Sequence, residues 1–517
     1  MNAAAASPRP RPARSSLARR FRKERLAFLA ATGIGLSVVL FVGFQRPLDH
    51  GAHPGVVIGY QPLATVYGLD PAGMHRFVTA VVVAYAVFAL AAFFATRVVG
   101  RPGFWLVLAG TAVAIAVLLP TNPAGAQDVY HNIADARTFW VYGDNPAVTP
   151  PDAHPDDPLF KSVPAWPDTP SSYGPLWYAL SGAPLPIAGD HLWANVIGQK
   201  LLTSAFLLAA TALAMLTAGR IRPGSAALAG VLVGWNPLLL FETAGNAHND
   251  IVMVAFALAA FYALARRWWL LVFPLLALAV LVKYVMLLLA PLLLLWLLLR
   301  ADVPKWQVAL SLVLGIAVGV LGYAPFYAGG ALLDTLRGEG TRYLDSTGSM
   351  TVSMLMQHRG MDLSHAEVAM RRVLTAAFVA GFGLLLLRFR RNPSYSFLTT
   401  TCAAVAFLLL VTVKWWFWPW YLAWLMPIAA LAPRRAMALL ASTFSLTAML
   451  MYAAYYWHVY GDWHATQQLV FKTVFVVPLG LAAAMVVYWL LRNAWGHLRP
   501  RAPVGARSAS AAPSVEH

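Results

Sequence analysis

The chain of 517 residues has little charge and only one cysteine. Charged residues make up 11% of it, whereas a soluble protein carries about 25%. So little charge, together with 59% hydrophobic residues and a mean hydropathy of +0.63, excludes an ordinary soluble domain and predicts a polytopic membrane protein. The single cysteine, Cys402, excludes an intramolecular disulfide.

Acidic residues are the scarcer charge, 21 Asp and Glu against 38 Lys and Arg, and the net charge is +17. A basic protein can be a nucleic-acid-binding protein, so the distribution of the charge decides the interpretation. With the N-terminus placed in the cytoplasm, the cytoplasmic segments hold 25 Lys and Arg residues and three acidic residues. The outer segments hold 11 Lys and Arg residues and 18 acidic residues. This asymmetry is typical of the positive-inside rule. It therefore indicates orientation in a membrane, and no nucleic-acid partner is expected.

Long hydrophobic runs supply the predicted architecture. The sequence predicts an all-α membrane protein with about 14 transmembrane helices, within a range of 12–14. The runs lie near residues 26–44, 77–96, 103–120, 193–217, 224–241, 251–265, 268–282, 285–299, 307–328, 373–387, 395–412, 417–431, 436–456 and 470–490. A basic cytoplasmic tail is expected at 1–25, a transmembrane catalytic domain at 26–492 and a disordered cytoplasmic tail at 493–517.

Two long connections on the outer side, 121–192 and 329–372, are where we expect function, because long ordered loops usually carry it. The first is predicted to hold two amphipathic helices at the membrane surface, at 128–142 and from about Tyr173 onward. On the first helix, Val129, Ile133, Ala136 and Trp140 share one face, and Asp128, Asn132 and Asp135 share another. We expect the acidic face to point toward an aqueous cavity.

Seven short motifs occur in an order that resembles the GT-C superfamily of integral-membrane glycosyltransferases. They are Asp128-Val129-Tyr130, Gly143-Asp144-Asn145-Pro146, Ser172-Tyr173-Gly174-Pro175-Leu176, Trp235-Asn236-Pro237-Leu238, Ala247-His248-Asn249-Asp250, Leu281-Val282-Lys283-Tyr284 and Trp418-Pro419-Trp420-Tyr421. The chain is most similar to the polyprenol-phosphate-mannose-dependent mannosyltransferases of actinobacterial envelopes, over roughly residues 75–490. The resemblance implies a GT-C-like fold. It also implies transfer of a hexose, mannose in particular, from a polyprenyl-phosphate donor to a lipid-linked or polysaccharide acceptor, with inversion.

Asp128 is the candidate general base. The resemblance implies this role, since the superfamily uses an acid in its first large outer loop. The chemistry agrees, because a glycosyl phosphate already carries a good leaving group and only the acceptor hydroxyl needs a base. The alternative is that Asp128 caps the helix that follows it, a position at which aspartate is favoured. The two roles are compatible.

Several other polar residues are candidates for binding substrate. Glu242, His248 and Asp250 cluster at a predicted hairpin, where they could contact the sugar or acceptor, cap helices or hold a metal. Lys283 is predicted to bind the donor phosphate as a point charge or to snorkel to the interface. Asp135, Tyr173 and Arg342 complete the predicted binding residues. No cofactor is expected, and a divalent metal stays an open alternative.

The aromatic cluster Trp415–Tyr421 is expected chiefly to anchor the chain at the interface. Two other functions stay open. A flippase or transporter for lipid-linked sugars would need polar residues through the spans, which are nearly free of charge here, and an oligosaccharide ligase or polymerase is not separated by composition. The predicted location is the bacterial plasma membrane, with both termini cytoplasmic and the active site extracytoplasmic. The predicted partners are the polyprenyl-phosphate sugar donor, a glycolipid or glycan acceptor, and membrane lipid.

Overall fold

The computed structural model describes residues 13–46, 71–125, 127–163, 166–330, 363–391, 393–432, 435–458 and 463–498. Within these ranges the fold is helical and contains no β-strand. The α-helices are α1 (Ala13–Leu40), α2 (Pro71–Ala95), α3 (Arg101–Leu118), α4 (Asp128–Trp140), α5 (Pro175–Ser181), α6 (Leu185–Ala188), α7 (Leu192–Ile221), α8 (Ala226–Gly234), α9 (Pro237–Leu240), α10 (Asp250–Arg266), α11 (Val272–Val282), α12 (Ala290–Leu299), α13 (Lys305–Tyr323), α14 (Leu363–Arg391), α15 (Tyr395–Thr412), α16 (Met426–Leu431), α17 (Arg435–Met449), α18 (Met451–His458), α19 (Trp463–Val474) and α20 (Val476–Leu498).

The predicted all-α membrane fold is confirmed. Eight helical segments of the described chain are long and apolar enough to cross a bilayer. They are Lys23–Gln45, Pro71–Ala95, Arg101–Leu118, Leu192–Ile221, Lys305–Phe326, Val368–Arg391, Tyr395–Thr412 and Arg435–Ala454. A bent pair, Ala226–Gly234 with Pro237–Gly245, makes a ninth if it counts as one span. Each of the other predicted runs also falls on helical segments, but most of these are divided or too short to cross a bilayer as one straight helix. The chain is a multi-pass membrane protein.

One predicted run, 224–241, is interrupted at a polar residue. Between α8 and α9 the helix axis bends by 51° at Asn236, whose side-chain oxygen accepts hydrogen bonds from the backbone N–H groups of Leu238 and Leu239. This cap starts a new helix, which Pro237 at its first position favours. Lys283 lies between two predicted runs, and there its backbone is extended (φ −156°, ψ 123°) before a short 3-10 helix begins. This break after α11 lies at the wall of the cavity described below.

A buried lysine holds the end of α3. Lys200, in the middle of the span α7, is fully buried. Its Nζ donates hydrogen bonds to the carbonyl oxygens of Leu118 (3.3 Å), Leu119 (2.8 Å) and Thr121. These carbonyls lie at the C-terminal end of α3 and just beyond it. A positive charge there suits the negative end of the helix dipole. Lys200 thereby anchors the segment that leads into α4.

Helix α4 is the first predicted amphipathic helix, and it packs against α5 and α7. Its apolar side chains Val129 and Ile133 are buried against Val196 of α7 and Ala247. The prediction for the polar face is wrong in part. Asp135 is buried rather than turned toward a cavity, whereas Trp140 is 56% exposed. The reason is that the 144–163 part of the connection and α5 cover the helix, so it is enclosed on more than one face.

Candidate active site

A cavity of about 290 Å³ opens beside the first turn of α4. Its walls come from six parts of the chain: α4, the segment before α5, the break after α11, helix α14, helix α15 and the segment between α15 and α16. They are Asp128, His131, Trp166, Thr169, Pro170, Ser171, Ser172, Tyr173, Lys283, Tyr284, Val285, Arg371, Leu409, Val413, Lys414, Trp415, Trp416, Trp418, Trp420, Tyr421 and Trp424. We call this the aromatic cavity, because nine of these residues are tryptophan or tyrosine. Among its described lining residues, Asp128 is the only carboxylate, and the basic side chains of Lys283, Arg371 and Lys414 line the same cavity.

Asp128 is the first residue of α4, and the N-cap position falls on Gln127, whose side chain makes no capping hydrogen bond. The capping alternative for Asp128 is therefore wrong. Its side chain is 19% exposed, and its Oδ2 lies 3.6 Å from Nε2 of His248. A partly exposed carboxylate at the wall of a cavity can accept a proton from a bound molecule.

His248 lies between two carboxylates. Its Nε2 faces Asp128, and its Nδ1 lies 3.1 Å from Oε2 of Glu242. The imidazole ring stacks on Trp420 with ring centroids 4.1 Å apart. Since His248 and Glu242 are buried while Asp128 reaches the cavity, the three form a chain that runs from the interior to the cavity wall. We call this chain the acid–histidine triad.

The inner end of the triad is held by neutral donors. Glu242 accepts hydrogen bonds from the Tyr452 hydroxyl (2.6 Å) and from Nδ2 of Asn246 (2.9 Å). The Asn246 oxygen accepts in turn from the backbone N–H groups of Ala124 and Gly125. A Cβ at Gly125 would lie 2.5 Å from Asn246 Nδ2. The segment before α4 therefore approaches this network closely, which fixes Glu242 relative to Asp128.

The triad carries opposite charges at neutral pH. Burial alone would lower the pKa of His248, but the carboxylates of Asp128 and Glu242 outweigh burial and raise it to about 9. Burial would raise the pKa of Asp128, but His248, together with Lys283 and His131, outweighs it and lowers that pKa below its usual value. Asp128 is thus an ionised acceptor beside an imidazolium.

The raised pKa of His248 predicts a pH dependence of stability. A protonated His248 stabilises the fold fully below the ordinary histidine pKa of about 6.5, and this contribution is lost as the pH rises through about 9. We expect the midpoint of thermal unfolding in detergent to fall between these pH values. The fall should be smaller in His248→Gln and smaller again in the double variant with His131→Gln. Equal falls in wild type and both variants would contradict the charge assignment.

His131 is the cavity residue that sequence reasoning missed. Its Nδ1 lies 3.3 Å from Oδ1 of Asp135, four residues along the helix. Burial would lower the pKa of His131, but Asp135, helped by Asp128, outweighs it and raises it to about 9. The signal in the sequence was the spacing, because residues three and four apart share a helix face. The predicted binding residue Asp135 is placed behind His131 rather than on the cavity wall.

Lys283 is a cation of the cavity wall that also acts on Asp128. Its Nζ lies 2.9 Å from Oδ1 of Asp250, which also accepts from the indole N–H of Trp424 at 2.5 Å. The ammonium lies 5.0 Å from the ring centroid of Tyr173 and 5.4 Å from that of Tyr421. The break after α11 lets this side chain reach the cavity. The predicted site residues Lys283, Asp250 and Tyr173 are therefore brought together.

Two further cations line the same cavity. Lys414 lies 4.6 Å from the ring centroid of Tyr421. The guanidinium of Arg371 lies 4.8 Å from that of Trp415. Arg371 was predicted as part of a loop, but it belongs to α14, which begins at Leu363. The predicted binding residue Arg342 lies outside the described residues.

The aromatic cluster does more than anchor the chain. Trp415, Trp418, Trp420 and Tyr421 are buried, and all of them line the cavity. The expectation of a chiefly interfacial role is corrected by this placement. The segment folds inward because it has no continuous helix: a turn after α15 leads to the 3-10 helix Pro419–Trp424.

Glu242, His248 and Asp250 do not converge on one point. The Glu242 carboxylate is bound by Tyr452, Asn246 and His248, whereas that of Asp250 pairs with Lys283. In the part of the chain that the structure describes, no group of three or more His, Cys, Asp or Glu side chains is arranged to hold a metal ion. The two carboxylates instead pair separately, Glu242 with His248 and Asp250 with Lys283.

Gly174 brings the two walls of the cavity together. Its N–H donates to the carbonyl of Val282 at 3.0 Å, and a Cβ added at Gly174 would lie 2.1 Å from the carbonyl oxygen of Leu281. We expect Gly174→Ala to force the walls apart, lowering the free energy of unfolding by about 1–3 kcal/mol. The control is Gly319→Ala, since a Cβ there meets nothing within 4 Å. The midpoints of thermal unfolding in detergent measure this loss of stability. Equal midpoints for the two variants would contradict a stabilising role for the close approach of Gly174 to Leu281.

Comparison with known proteins agrees with this architecture. The sequence family described as alpha-(1->6)-mannopyranosyltransferase, N-terminal domain, matches residues 32–300, which is just over half of the chain. The chain is also similar to alpha-(1->6)-mannopyranosyltransferase B of Corynebacterium glutamicum, with 28% identity over 151 residues that cover 28% of this chain and 24% of that protein. The matched segment thus spans about a quarter of this curated relative. The family match includes α4, the acid–histidine triad, Lys283 and 11 of the 21 residues that line the cavity. Since it covers more than half of the chain, the chain belongs to the alpha-(1->6)-mannopyranosyltransferases, through their N-terminal domain.

Proposed function

We propose that this protein is an inverting mannosyltransferase that moves mannose from a polyprenyl-phosphate donor to a lipid-linked or polysaccharide acceptor. One observation carries the proposal: the carboxylate of Asp128 lines the same cavity as the basic side chains of Lys283, Lys414 and Arg371. Base and cations are the two functions that a glycosyl phosphate donor requires. Family membership supports mannose as the sugar.

The proposed step is a single displacement. The acceptor hydroxyl oxygen forms a bond to the anomeric carbon while the bond from that carbon to the phosphate oxygen breaks. The hydroxyl proton passes to Asp128, and the electron pair of the broken bond leaves with the phosphate. Lys283, with Lys414 and Arg371, stabilises the charge that develops on the leaving group. One base is enough, in contrast to the two carboxylates of glycoside hydrolysis.

Donor binding would also tune the base. Lys283 is one of the charges that lower the pKa of Asp128. A phosphate bound to Lys283 would offset that charge, so the pKa of Asp128 would rise toward the operating pH, where a general base is most effective. The base would then be strongest when the donor is in place.

The remaining walls suit the other parts of the substrate. Aromatic faces such as Trp166 and Trp418 offer flat apolar surface for a sugar ring, and Leu409 and Val413 extend the apolar wall toward α15. A polyprenyl chain must enter from the bilayer, which fits a cavity built between membrane helices. The positive-inside distribution supports an extracytoplasmic cavity and cytoplasmic termini.

The donor experiment uses purified protein in lipid vesicles with polyprenyl-phosphate [14C]mannose and an envelope-lipid extract as acceptor. We expect label to enter the acceptor from this donor, and none from the soluble donor GDP-mannose. Transfer from GDP-mannose alone would refute the lipid-linked donor. If no polyprenyl-phosphate sugar serves as donor but labelled donor crosses the vesicle membrane, the flippase alternative replaces this proposal.

A further inference from the structure

A second cavity lies at the other end of the helical bundle from α4. It is a groove of about 630 Å³ between α2, α8 and α17. Its walls are chiefly hydrophobic, with Phe88, Leu232 and Leu446 among them. At its mouth lie three arginines: Arg97, just after α2; Arg222, just after α7; and Arg435, which begins α17. We call this the arginine groove.

The three arginines come together because three spans end at the same level. Helices α2 and α7 end there, and α17 starts there. All three side chains are exposed. The Arg97 guanidinium lies over the Phe93 ring at 3.6 Å, which holds it above the apolar wall. Among the described residues that line the groove, none is acidic. The mouth therefore presents three guanidinium groups at the end of an apolar wall.

We propose that the arginine groove binds an anionic phospholipid, with the phosphate headgroup between Arg97, Arg222 and Arg435 and one acyl chain along the apolar wall. Charge complementarity selects the occupant, because guanidinium groups pair with phosphate oxygens in a bidentate manner. The apolar wall of α2 and α17 below the arginines selects a lipid over a soluble anion. Ser225, Ser442 and Thr443 add hydroxyl groups to the lining.

The site would lie on the surface that the charge distribution predicts to be cytoplasmic, where anionic lipids attract basic residues. It is separate from the aromatic cavity, since the two share no lining residue. Its occupant would tie α2 to α17 across α8. The proposal is independent of the proposed transferase activity, because it is tested by lipid binding alone.

The test measures lipid binding to delipidated, detergent-solubilised protein by native mass spectrometry. The groove variant is Arg97→Gln/Arg222→Gln/Arg435→Gln, and the matched control, Arg266→Gln/Arg390→Gln/Arg391→Gln, loses the same charge at helix ends outside the groove. Each arginine near a headgroup is worth roughly a fivefold change in affinity. We therefore expect affinity for phosphatidylglycerol to fall at least about tenfold in the groove variant, and less than about threefold in the control. Affinity for phosphatidylcholine should change little in either.

A second variant keeps the charges and fills the groove. Ala89→Trp places a large ring on the apolar wall, and we expect it to weaken phosphatidylglycerol binding while every arginine remains. This variant carries the test if the triple variant does not fold. Three results would overturn the proposal: equal loss in the groove and control variants, unchanged binding in Ala89→Trp, or competition by inorganic phosphate as effective as competition by phosphatidylglycerol.

Discussion

Replacing Asp128 with asparagine is expected to lower the rate constant of mannosyl transfer at least about 100-fold, since positioned general bases contribute about 10²–10⁴-fold. Asparagine keeps the size of the side chain and an oxygen that faces His248, so α4 should keep its place. It cannot accept the acceptor's proton. Donor binding depends on the cations and should change little, so the loss should appear in kcat rather than in KM for the donor.

The matched control for this variant is Asp156→Asn. Asp156 is exposed and lies in the same long connection between α4 and α5, but it does not line the aromatic cavity. Its substitution removes the same charge and should leave transfer unchanged. If Asp128→Asn and Asp156→Asn transfer mannose at the same rate, the base must be another group, and Glu242 would be examined next.

Replacing Lys283 with methionine is expected to lower kcat/KM for the donor about 10²–10³-fold, because it removes the cation at the departing phosphate. It would also leave Asp250 as a buried carboxylate without its ion-pair partner, which costs about 3–5 kcal/mol of stability. The single variant alone would therefore not separate a catalytic role from a structural one.

The double variant Lys283→Met/Asp250→Asn makes that separation. The amide oxygen at position 250 can still accept from the Trp424 indole N–H, and no unpaired charge remains. We expect thermal stability close to that of wild type and transfer as low as in the single variant. Recovery of activity together with stability would mean that Lys283 serves only to pair with Asp250. Lys161→Met, at an exposed position outside the cavity, is the control for loss of one positive charge.

The helices were predictable because apolar runs and the charge asymmetry are properties of composition along the chain. Their lengths were not. The break at Lys283 falls between two predicted runs, because the lysine itself interrupts the apolar sequence. The bend at Asn236 depends on a capping amide, for which hydrophobicity gives no signal, so the run 224–241 is predicted as one span although it forms two short helices.

Several residues of the candidate site were predictable from the sequence, but the hydrogen bonds and ion pairs between them were not. Asp128, Lys283 and Tyr173, which the sequence singles out as candidates, line one cavity. The pairing of Asp250 with Lys283, and of His248 with both Asp128 and Glu242, joins positions far apart in the sequence. Hydropathy and helical spacing describe neighbours along the chain. They give no distances across the bundle, which is also why the role of Tyr452 went unnoticed.

The anomeric configuration of the product tests the central claim most directly. NMR of the disaccharide linkage formed by wild-type protein would be compared with the configuration of mannose in the polyprenyl-phosphate donor. A single displacement assisted by Asp128 predicts that every transferred mannose has the opposite configuration. Retained configuration would contradict the account, because it requires a covalent glycosyl intermediate, and Asp128 would then be a nucleophile rather than a base.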